Sequence, residues 1–167
     1  MTGTTAASTP SAPSAVATRV VVCRDPEATS ALGRALGAAA KAGDLVCLWG
    51  DLGAGKTHLA KAFGVGLGVT ETITSPSFIL MAEYEGRLPL FHVDPYRLTR
   101  ADDALQGGLL DERQAGGVTL VEWPERLGDA LPAARLDIRI DGLGDEPRTI
   151  TLEARGDRYR RYLDAAP

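Results

Sequence analysis

One eight-residue segment constrains the fold of this chain more than any other part of the sequence. Residues 50–57 read Gly-Asp-Leu-Gly-Ala-Gly-Lys-Thr, which fits the pattern G-x-x-x-x-G-K-[ST] at every position. An apolar run, Leu45–Trp49, precedes the segment, and a helix-like segment, His58–Leu67, follows it. A strand, a glycine-rich turn and a helix in this order form a phosphate-binding loop. The alternative is a glycine-rich turn that carries Lys-Thr by chance, so the strand and helix on either side favour nucleotide binding.

The residue types in this loop indicate what each could do. Glycines let backbone N–H groups turn toward a phosphate, and the helix N-terminus adds a partial positive charge. Lys56 can reach the β- and γ-phosphates, and the hydroxyl of Thr57 can coordinate Mg²⁺. We therefore predict that the cofactor contacts Asp51, Leu52, Gly53, Ala54, Gly55, Lys56, Thr57 and His58.

Strand-like and helix-like segments alternate along the chain. Predicted strands lie at Thr18–Cys23, Leu45–Trp49, Ser77–Tyr84, Leu88–Val93, Val118–Val121, Leu136–Ile140 and Thr149–Leu152. Predicted helices run from Pro26 to before Gly43, over His58–Leu67, in part over residues 99–115, and over Asp157–Asp164. The last two strands alternate apolar and polar residues, which is typical of an antiparallel hairpin. The pattern predicts an α/β, three-layer P-loop NTPase fold with a mainly parallel central sheet, extended by a C-terminal antiparallel hairpin.

Composition divides the chain into a tail and one domain. Residues 1–17 contain only Met, Ala, Thr, Ser, Pro, Gly and Val, with no charged side chain. Such a segment buries too little apolar surface to offset the entropy lost on ordering, so we predict a disordered tail. A plastid-type transit peptide is the weaker alternative, since no arginine precedes Arg19. Residues 18–167 are predicted to form a single domain.

Charge and cysteine content limit the classes of protein to consider. The net charge of −4 argues against a dedicated nucleic-acid-binding protein. Cys23 and Cys47 lie in apolar runs, which favours buried thiols in a reducing compartment over a disulfide. The sequence has neither an apolar run of the ~18 residues that a membrane span needs nor a secretory signal pattern. We expect a cytoplasmic protein that does not interact with membranes.

Two acidic residues follow apolar strands and could complete a Mg²⁺ site. In phosphate-loop enzymes the metal is held in part by a carboxylate at the end of a neighbouring strand. Asp94 follows the apolar run 90–93, and Glu122 follows the run 118–121. Either acid could instead cap a helix or face water, and Pro95 makes capping a serious alternative for Asp94. We favour Glu122 as the acid on the metal side.

The segment Thr74-Ser75-Pro76-Ser77-Phe78 lies between the loop helix and the next strand. In phosphate-loop proteins a segment that senses the γ-phosphate occupies this place. The alternative is a plain Ser-Pro turn. The pattern alone favours neither interpretation.

Four segments occur in a particular order and spacing: residues 50–57, Ser75-Pro76-Ser77-Phe78, His92-Val93-Asp94-Pro95-Tyr96-Arg97-Leu98 and Val121-Glu122-Trp123-Pro124-Glu125. Together they resemble the TsaE family, formerly called YjeE, the small ATPases of bacterial tRNA threonylcarbamoyladenosine synthesis. The loop is shared with many families, whereas the last two segments are far more specific. The resemblance extends from residue 19 to residue 127.

The resemblance implies a protein that binds Mg-ATP and hydrolyses it slowly by itself. The implied partners are a threonylcarbamoyl transferase and its paralogous partner subunit, which modify adenosine beside the anticodon of ANN-decoding tRNAs. The ATPase would reset or support that complex rather than perform the transfer, and its contact with tRNA would be indirect.

Residue by residue, the resemblance assigns Lys56 to the phosphates and Thr57 and Glu122 to Mg²⁺. It assigns Asp94 to hydrolysis, by positioning either water or the metal. Lys56, Asp94 and Glu122 are thus the predicted catalytic residues. Ser77, in the segment that matches the family's switch, and Trp123, next to the site, join the predicted cofactor contacts.

The sequence departs from the family pattern at three positions. Ser77 stands where Thr is common and keeps the hydroxyl, while Pro95 replaces a usual Leu and could stiffen the turn. His58 stands where a second hydroxyl is typical; it could hydrogen-bond a phosphate, although an outward-facing side chain is the simpler interpretation. We interpret His92 as a strand residue packed against the sheet rather than as a general base.

Arginines concentrate near the C-terminus, at Arg155, Arg158, Arg160 and Arg161. They could contact tRNA or a partner. The alternative, which we favour, is a solvated helix face with cations near the helix C-terminus.

Two other functions share the phosphate loop. A small-molecule kinase would need an acceptor pocket and usually a mobile lid that carries arginine, and no such insertion is obvious in the sequence. A nucleotide-gated binding module would need nucleotide-dependent affinity for a partner and not turnover. A GTPase is disfavoured because none of the three lysines lies in an Asn-Lys-x-Asp context.

Overall fold

The computed structural model describes residues 15–76, 80–98 and 112–167. The helices in these residues are α1 (Pro26–Ala39), α2 (Lys56–Gly66) and α3 (Arg160–Ala165). The strands are β1 (Val16–Cys23), β2 (Leu45–Trp49), β3 (Met81–Tyr84), β4 (Leu90–Val93), β5 (Val118–Glu122), β6 (Arg135–Asp141) and β7 (Arg148–Arg155). Short 3₁₀ segments span Glu112–Gly116, Pro124–Ala130 and Asp157–Tyr159.

The described strands form one sheet in the order β1-β7-β6-β2-β5-β4-β3. The pairs β2–β6, β2–β5 and β4–β5 are parallel, so four parallel strands make up the centre. The remaining pairs, β1–β7, β6–β7 and β3–β4, are antiparallel and lie toward the two edges. This topology confirms the predicted P-loop NTPase fold with its C-terminal hairpin. It also adds β1 as an antiparallel edge strand on that hairpin.

The two faces of the sheet are covered differently. All three helices lie on one face, over a core that includes Leu32, Leu36, Leu59, Phe63 and Leu67, each at most 1% exposed. Their spacing of four residues along each helix places them on one helix face. On the opposite face, Leu127 of the 3₁₀ segment after β5 packs against apolar side chains of the central strands. No helix in the described ranges is long and apolar enough to cross a membrane.

Helices α1 and α2 approach each other so closely that one position on α1 must lack a side chain. A Cβ atom at Gly37 would lie 2.0 Å from the carbonyl oxygen of Phe63, well inside van der Waals contact. Glycine therefore sets the distance between the helices. Since α2 begins at the end of residues 50–57, this packing fixes the loop relative to α1.

Most predicted elements lie where the sequence placed them, with small shifts at their ends. The strand β2 has its predicted limits, and Asp25 caps α1 by accepting a 2.8 Å hydrogen bond from the backbone N–H of Ala28. Pro89 lacks an N–H group to pair, and β4 begins just after it, two residues later than predicted.

The first strand begins at Val16, two residues before its predicted start. Val16 and Ala17 pair with Arg155 and Ala154, because β7 continues far enough to give them partners. They therefore belong to the sheet and not to the tail. Residues 1–14 lie outside the described ranges, so the disordered tail stays a prediction.

Two other predicted elements fall partly outside the described residues. Of the strand predicted over 77–84, residues 77–79 lie outside, and β3 covers Met81–Tyr84. Of the partly helical segment predicted over 99–115, residues 99–111 lie outside, and the remainder belongs to the 3₁₀ segment Glu112–Gly116. Both cysteines are free and buried, as predicted.

A buried aspartate joins the C-terminal segment to the start of β2. The side chain of Asp44 is fully buried and accepts hydrogen bonds from the backbone N–H of Lys41 at 2.8 Å and from the hydroxyl of Tyr162 at 2.6 Å. It also pairs with the guanidinium groups of Arg158, at 2.9 Å, and Arg161. These donors compensate the cost of burying the carboxylate.

The other two C-terminal arginines also form ion pairs. Arg155 contacts Asp137 at 2.5 Å and Glu153 at 2.8 Å. Arg160 contacts Asp157 at 3.3 Å. The predicted solvated face is incomplete, because acidic side chains of the domain pair with these arginines. The predicted place of the cations near a helix C-terminus is wrong, since Arg160 and Arg161 begin α3 and no basic residue lies in its last turn.

We expect Asp44→Asn to lower the free energy of unfolding by about 3 kcal/mol, because removing one charge of a buried pair leaves the remaining groups uncompensated. Urea unfolding measures the change. The matched control is Asp157→Asn, since its side chain is 86% exposed and its loss should cost less than about 1 kcal/mol. Equal losses in the two variants would contradict the anchoring role of Asp44.

Candidate active site

Residues 50–57 connect the C-terminal end of β2 to the N-terminus of α2. Two glycines in this connection have left-handed backbone conformations, Gly53 with φ 83° and Gly55 with φ 107°. Residues with a Cβ rarely adopt these angles, so the sequence pattern and the backbone path agree. Gly55 immediately precedes the first residue of α2. The helix N-terminus thus points its free N–H groups and partial positive charge toward the loop.

Lys56, the first residue of α2, folds back over this loop. Its Nζ atom donates to the carbonyl oxygens of Gly50 at 2.5 Å and Asp51 at 3.0 Å. The side chain is buried, with the residue only 5% exposed. Burial lowers the pKa of Lys56, and nearby carboxylates, that of Glu122 first among them, oppose this shift.

The next residue, Thr57, lies opposite the acid at the end of β5. Its Oγ1 atom is 3.0 Å from Oε1 and 3.1 Å from Oε2 of Glu122. The parallel pairing of β2 with β5 aligns Leu48 with Glu122, which brings the strand end beside the loop helix. Thr57 and Glu122, which the sequence predicted as the metal ligands, are therefore brought together by the fold.

Asp94 directly follows β4 and lies at the same edge of the sheet. One carboxylate oxygen accepts the backbone N–H of Tyr96 at 3.0 Å, and the other accepts the hydroxyl of Ser75 at 2.9 Å. The first contact spans Pro95 and belongs to a turn, whereas the sequence offered helix capping as the alternative for Asp94. The second points the carboxylate toward the segment between α2 and β3. Asp94 thus stabilises the turn through Tyr96, and its carboxylate also lies at the candidate site, in contact with Ser75.

An aromatic residue covers the lysine from the opposite side. The Nζ atom of Lys56 lies 3.7 Å from the ring centroid of Trp123, which in turn contacts the ring of Tyr96 at 4.8 Å. Trp123 has a left-handed backbone with φ 53° and ψ 50°. For a residue with a side chain this conformation costs about 1–2 kcal/mol. The backbone strain is thus located at Trp123, the residue whose ring covers Lys56.

These residues surround a cleft of about 390 Å³. Its lining includes six of the predicted cofactor contacts together with both predicted acids: Leu52, Gly53, Gly55, Lys56, Thr57, Trp123, Asp94 and Glu122. Ser75, Tyr96 and Arg97 complete it. The predicted contact Ser77 lies outside the described residues.

Three predicted contacts do not line this cleft. Asp51 and Ala54 line a different depression, of about 290 Å³, beside β6. His58 is exposed, and its Nε2 atom lies 2.9 Å from the hydroxyl of Ser30 and 3.1 Å from the carbonyl oxygen of Pro26. The side chain of His58 therefore joins α2 to α1.

A third cleft, also of about 290 Å³, lies on the α1 side of the loop. Thr29 and Pro26 of α1, Ala54 of the loop, His58 of α2 and Arg148 of β7 are among its lining residues. Arg148 donates from Nε to the carbonyl oxygen of Ala54 at 2.9 Å, which ties the hairpin to the loop. The loop therefore borders both this cleft, which is flanked by the starts of α1 and α2, and the cleft of about 390 Å³ that holds Lys56, Asp94 and Glu122.

The donor set at the first cleft fits a hard divalent cation. Thr57 and Glu122 offer only oxygen atoms. Within the described ranges, no group of three or more His, Cys, Asp or Glu side chains is arranged to hold a metal. Mg²⁺ is commonly bound by one or two protein oxygens together with water and phosphate oxygens. Thr57 and Glu122 are the residues that would hold it.

The sheet order, the loop after β2 and the acid at the end of β5 together define a domain of the P-loop NTPase fold. The family model described as "Threonylcarbamoyl adenosine biosynthesis protein TsaE" matches residues 23–150. The chain belongs to the TsaE family, and the resemblance that the sequence motifs suggested is confirmed.

Individual relatives are similar over most of their length. The chain is 45% identical over 141 residues to the tRNA threonylcarbamoyladenosine biosynthesis protein TsaE of Bacillus subtilis, covering 84% of this chain and 88% of the relative. It is 40% identical over 131 residues to the protein of the same name from Treponema pallidum, covering 78% and 97%. The crystal structure of Bacillus subtilis YdiB superposes with a TM-score of 0.76 at 41% identity, covering 90% of this chain and 94% of that one.

Sequence reasoning missed one residue of this cluster. His92 lies on β4, is 0% exposed, and its Nε2 atom is 2.9 Å from Oε1 of Glu122. It does pack within the sheet, as expected, but it also contacts the acid. The available clue was its position two residues before Asp94 on a strand, because alternate residues share one face of a sheet. The position alone does not show that β5 is the neighbouring strand or that Glu122 is the partner.

We expect an anion bound in the loop to change the fluorescence of Trp123, because the anion competes for the ammonium group that lies over this ring. Inorganic pyrophosphate is a suitable probe. Trp49→Phe, which leaves Trp123 as the emitting tryptophan, should keep the change, and Trp123→Phe should lose it. Constant emission from the Trp49→Phe variant, with pyrophosphate binding shown by calorimetry, would contradict this geometry.

Proposed function

We propose that this chain is a Mg²⁺-dependent ATPase that supports a threonylcarbamoyl transferase complex in the synthesis of N6-threonylcarbamoyladenosine in tRNA. The observation that carries the proposal is the convergence of Lys56, Thr57, Asp94 and Glu122 on one cleft at the phosphate loop. Membership in the TsaE family supports the place in tRNA modification.

Phosphate binding would rest on the loop and on Lys56. The backbone N–H groups at the start of α2 and the ammonium group both favour a polyphosphate at this point. Thr57 and Glu122 would hold Mg²⁺, which when bound neutralises charge on the β- and γ-phosphates. Trp123 and Tyr96 would limit access of water to the ammonium group from the side opposite the loop.

Asp94 is suited to hydrolysis because its carboxylate is held in place. The backbone N–H of Tyr96 fixes one oxygen and the hydroxyl of Ser75 contacts the other. A carboxylate fixed in the cleft can orient a water molecule toward a phosphate without the cost of ordering itself. We assign this role to Asp94, with Ser75 setting its direction.

The cleft on the α1 side of the loop is the place we propose for the nucleoside. Thr29 and Pro26 at the start of α1 line it together with His58 and Ala54. In α/β sheets, ligands bind beyond the carboxyl ends of the central strands, and this cleft continues from the loop at that edge. A nucleotide could then extend from this cleft to the phosphate loop.

The proposed partners are the threonylcarbamoyl transferase and its paralogous subunit, and we propose that contact with tRNA is indirect. The net charge of −4 and the ion pairs of the C-terminal arginines with acidic side chains leave little positive surface there for a phosphate backbone. Free, buried thiols at Cys23 and Cys47 suit the cytoplasm as the proposed location.

Replacing Lys56 with alanine should weaken binding of Mg-ATP by at least about tenfold, since a charged hydrogen bond contributes about 1.5–3 kcal/mol. Calorimetric titration measures the affinity. Lys61→Ala is the matched control, because Lys61 is an exposed lysine on the same helix and lies outside the cleft. Equal ATP affinity in the wild type and Lys56→Ala would refute nucleotide binding at this loop.

Cells depleted of this protein should lose threonylcarbamoyladenosine from their tRNA, as measured by mass spectrometry of digested tRNA. Wild-type protein should restore the modification and Lys56→Ala should not, because restoration requires ATP. Unchanged modification in depleted cells would contradict the proposed pathway. Phosphorylation of a metabolite by the purified protein would instead favour a small-molecule kinase.

A further inference from the structure

The described residues contain one buried side-chain polar atom without a hydrogen-bond partner, Nδ1 of His92. The other ring nitrogen, Nε2, lies 2.9 Å from Oε1 of Glu122. Neither side chain is more than 3% exposed. Leaving a buried nitrogen unpaired is unfavourable. The hydrogen bond of Nε2 with Glu122 therefore indicates the role of a histidine at this position.

The direction of this hydrogen bond follows from the chemistry of the acceptor. An ionised carboxylate can only accept, so Nε2 carries the proton and donates it to Oε1. In the neutral ring Nδ1 is then an acceptor, and it is the atom without a partner. In this arrangement the imidazole ring of His92 orients the carboxylate of Glu122.

The contact also distinguishes the two oxygens of Glu122. Oε1 faces both the His92 ring at 2.9 Å and the hydroxyl of Thr57 at 3.0 Å, whereas Oε2 faces only the hydroxyl, at 3.1 Å. A hydroxyl donates a single proton. The ring therefore engages Oε1, while Oε2 lies 3.1 Å from the hydroxyl of Thr57, the second oxygen suited to Mg²⁺ in the lining of the cleft.

We propose that His92 is a positioning residue that holds Oε1 of Glu122, so that Oε2 and the hydroxyl of Thr57 form a preorganised pair for a divalent cation. This inference rests on the proposed function, because it concerns the Mg²⁺ that accompanies the nucleotide. Residues that hydrogen-bond a ligating carboxylate typically change metal affinity by about 10–100-fold when they are removed. Among the described residues, the hydrogen bond of His92 goes to Glu122, so the ring reaches the metal side of the site through this acid.

The test compares the affinity for ADP in Mg²⁺ with that in EDTA, measured by calorimetry on the full chain. His92→Phe should leave the affinity in EDTA unchanged and reduce the gain from Mg²⁺ by about tenfold. His92→Gln keeps an N–H donor within reach of Glu122 and should restore most of the gain. Leu90→Val, a buried change two residues earlier on β4, should leave the gain unchanged.

Several results would overturn the proposal. One is a wild-type Mg²⁺ gain in His92→Phe, and another is an equal loss of affinity in Mg²⁺ and in EDTA, which would indicate a general structural role. A His92→Gln variant that behaves like His92→Phe would exclude the donor role. Absence of any Mg²⁺ gain in the wild type would refute the proposed function itself, and this inference with it.

A second measurement is independent of nucleotide and metal. The chain has only two histidines, so long-range ¹H–¹⁵N spectra of the ligand-free protein can assign both rings. We expect the proton of His92 on Nε2. A proton on Nδ1 alone would contradict the hydrogen bond to Glu122.

Discussion

The site depends on the parallel pairing of β2 with β5. Because both strands run in the same direction, their carboxyl ends meet at one edge of the sheet, and the register sets Leu48 beside Glu122. The chain leaves β2 through a glycine-rich turn and enters α2. The hydroxyl of Thr57, in the first turn of this helix, therefore faces Glu122, the last residue of β5. The hydrogen bonds between Thr57 and Glu122 are the direct result. Shifting β5 by one residue would turn this acid to the other face of the sheet and separate the pair.

Buried charge at the two ends of β2 serves different purposes. Asp44, just before the strand, is surrounded by arginine, tyrosine and backbone donors, and this network ties the C-terminal helix to the sheet. Past the other end, burial lowers the pKa of Lys56 while several carboxylates oppose the shift. There the contacts of the lysine are two carbonyl oxygens of its own loop and an aromatic ring, which an anion could replace at modest cost. The first cluster is satisfied within the domain, and the second is the place where we propose that a phosphate binds.

Periodicity and local chemistry predicted the elements well where short-range interactions decide them. The cap at Asp25, the apolar strand β2 and the loop glycines all depend on neighbours in sequence. Prediction was weaker where pairing with a distant strand decides the outcome. Val16 joined the sheet because β7 extends to meet it, although composition had placed it in a tail. The arginines of the C-terminal segment looked like a basic surface until their acidic partners, more than a hundred residues away for Asp44, were in view.

The sequence by itself predicted the loop, the order of strands and helices along the chain, the family resemblance, and Lys56, Thr57, Asp94 and Glu122 among the residues that line the cleft. Those features follow from residue types at fixed spacing, which local backbone geometry translates directly into structure. The tertiary structure alone decided that Trp123 covers Lys56, that Ser75 contacts Asp94, that His58 joins two helices, and that His92 holds Glu122. Each of these is a contact between elements far apart in the chain. Such contacts depend on which strands are neighbours in the sheet and on their register. The spacing of residues along the sequence does not specify either of these.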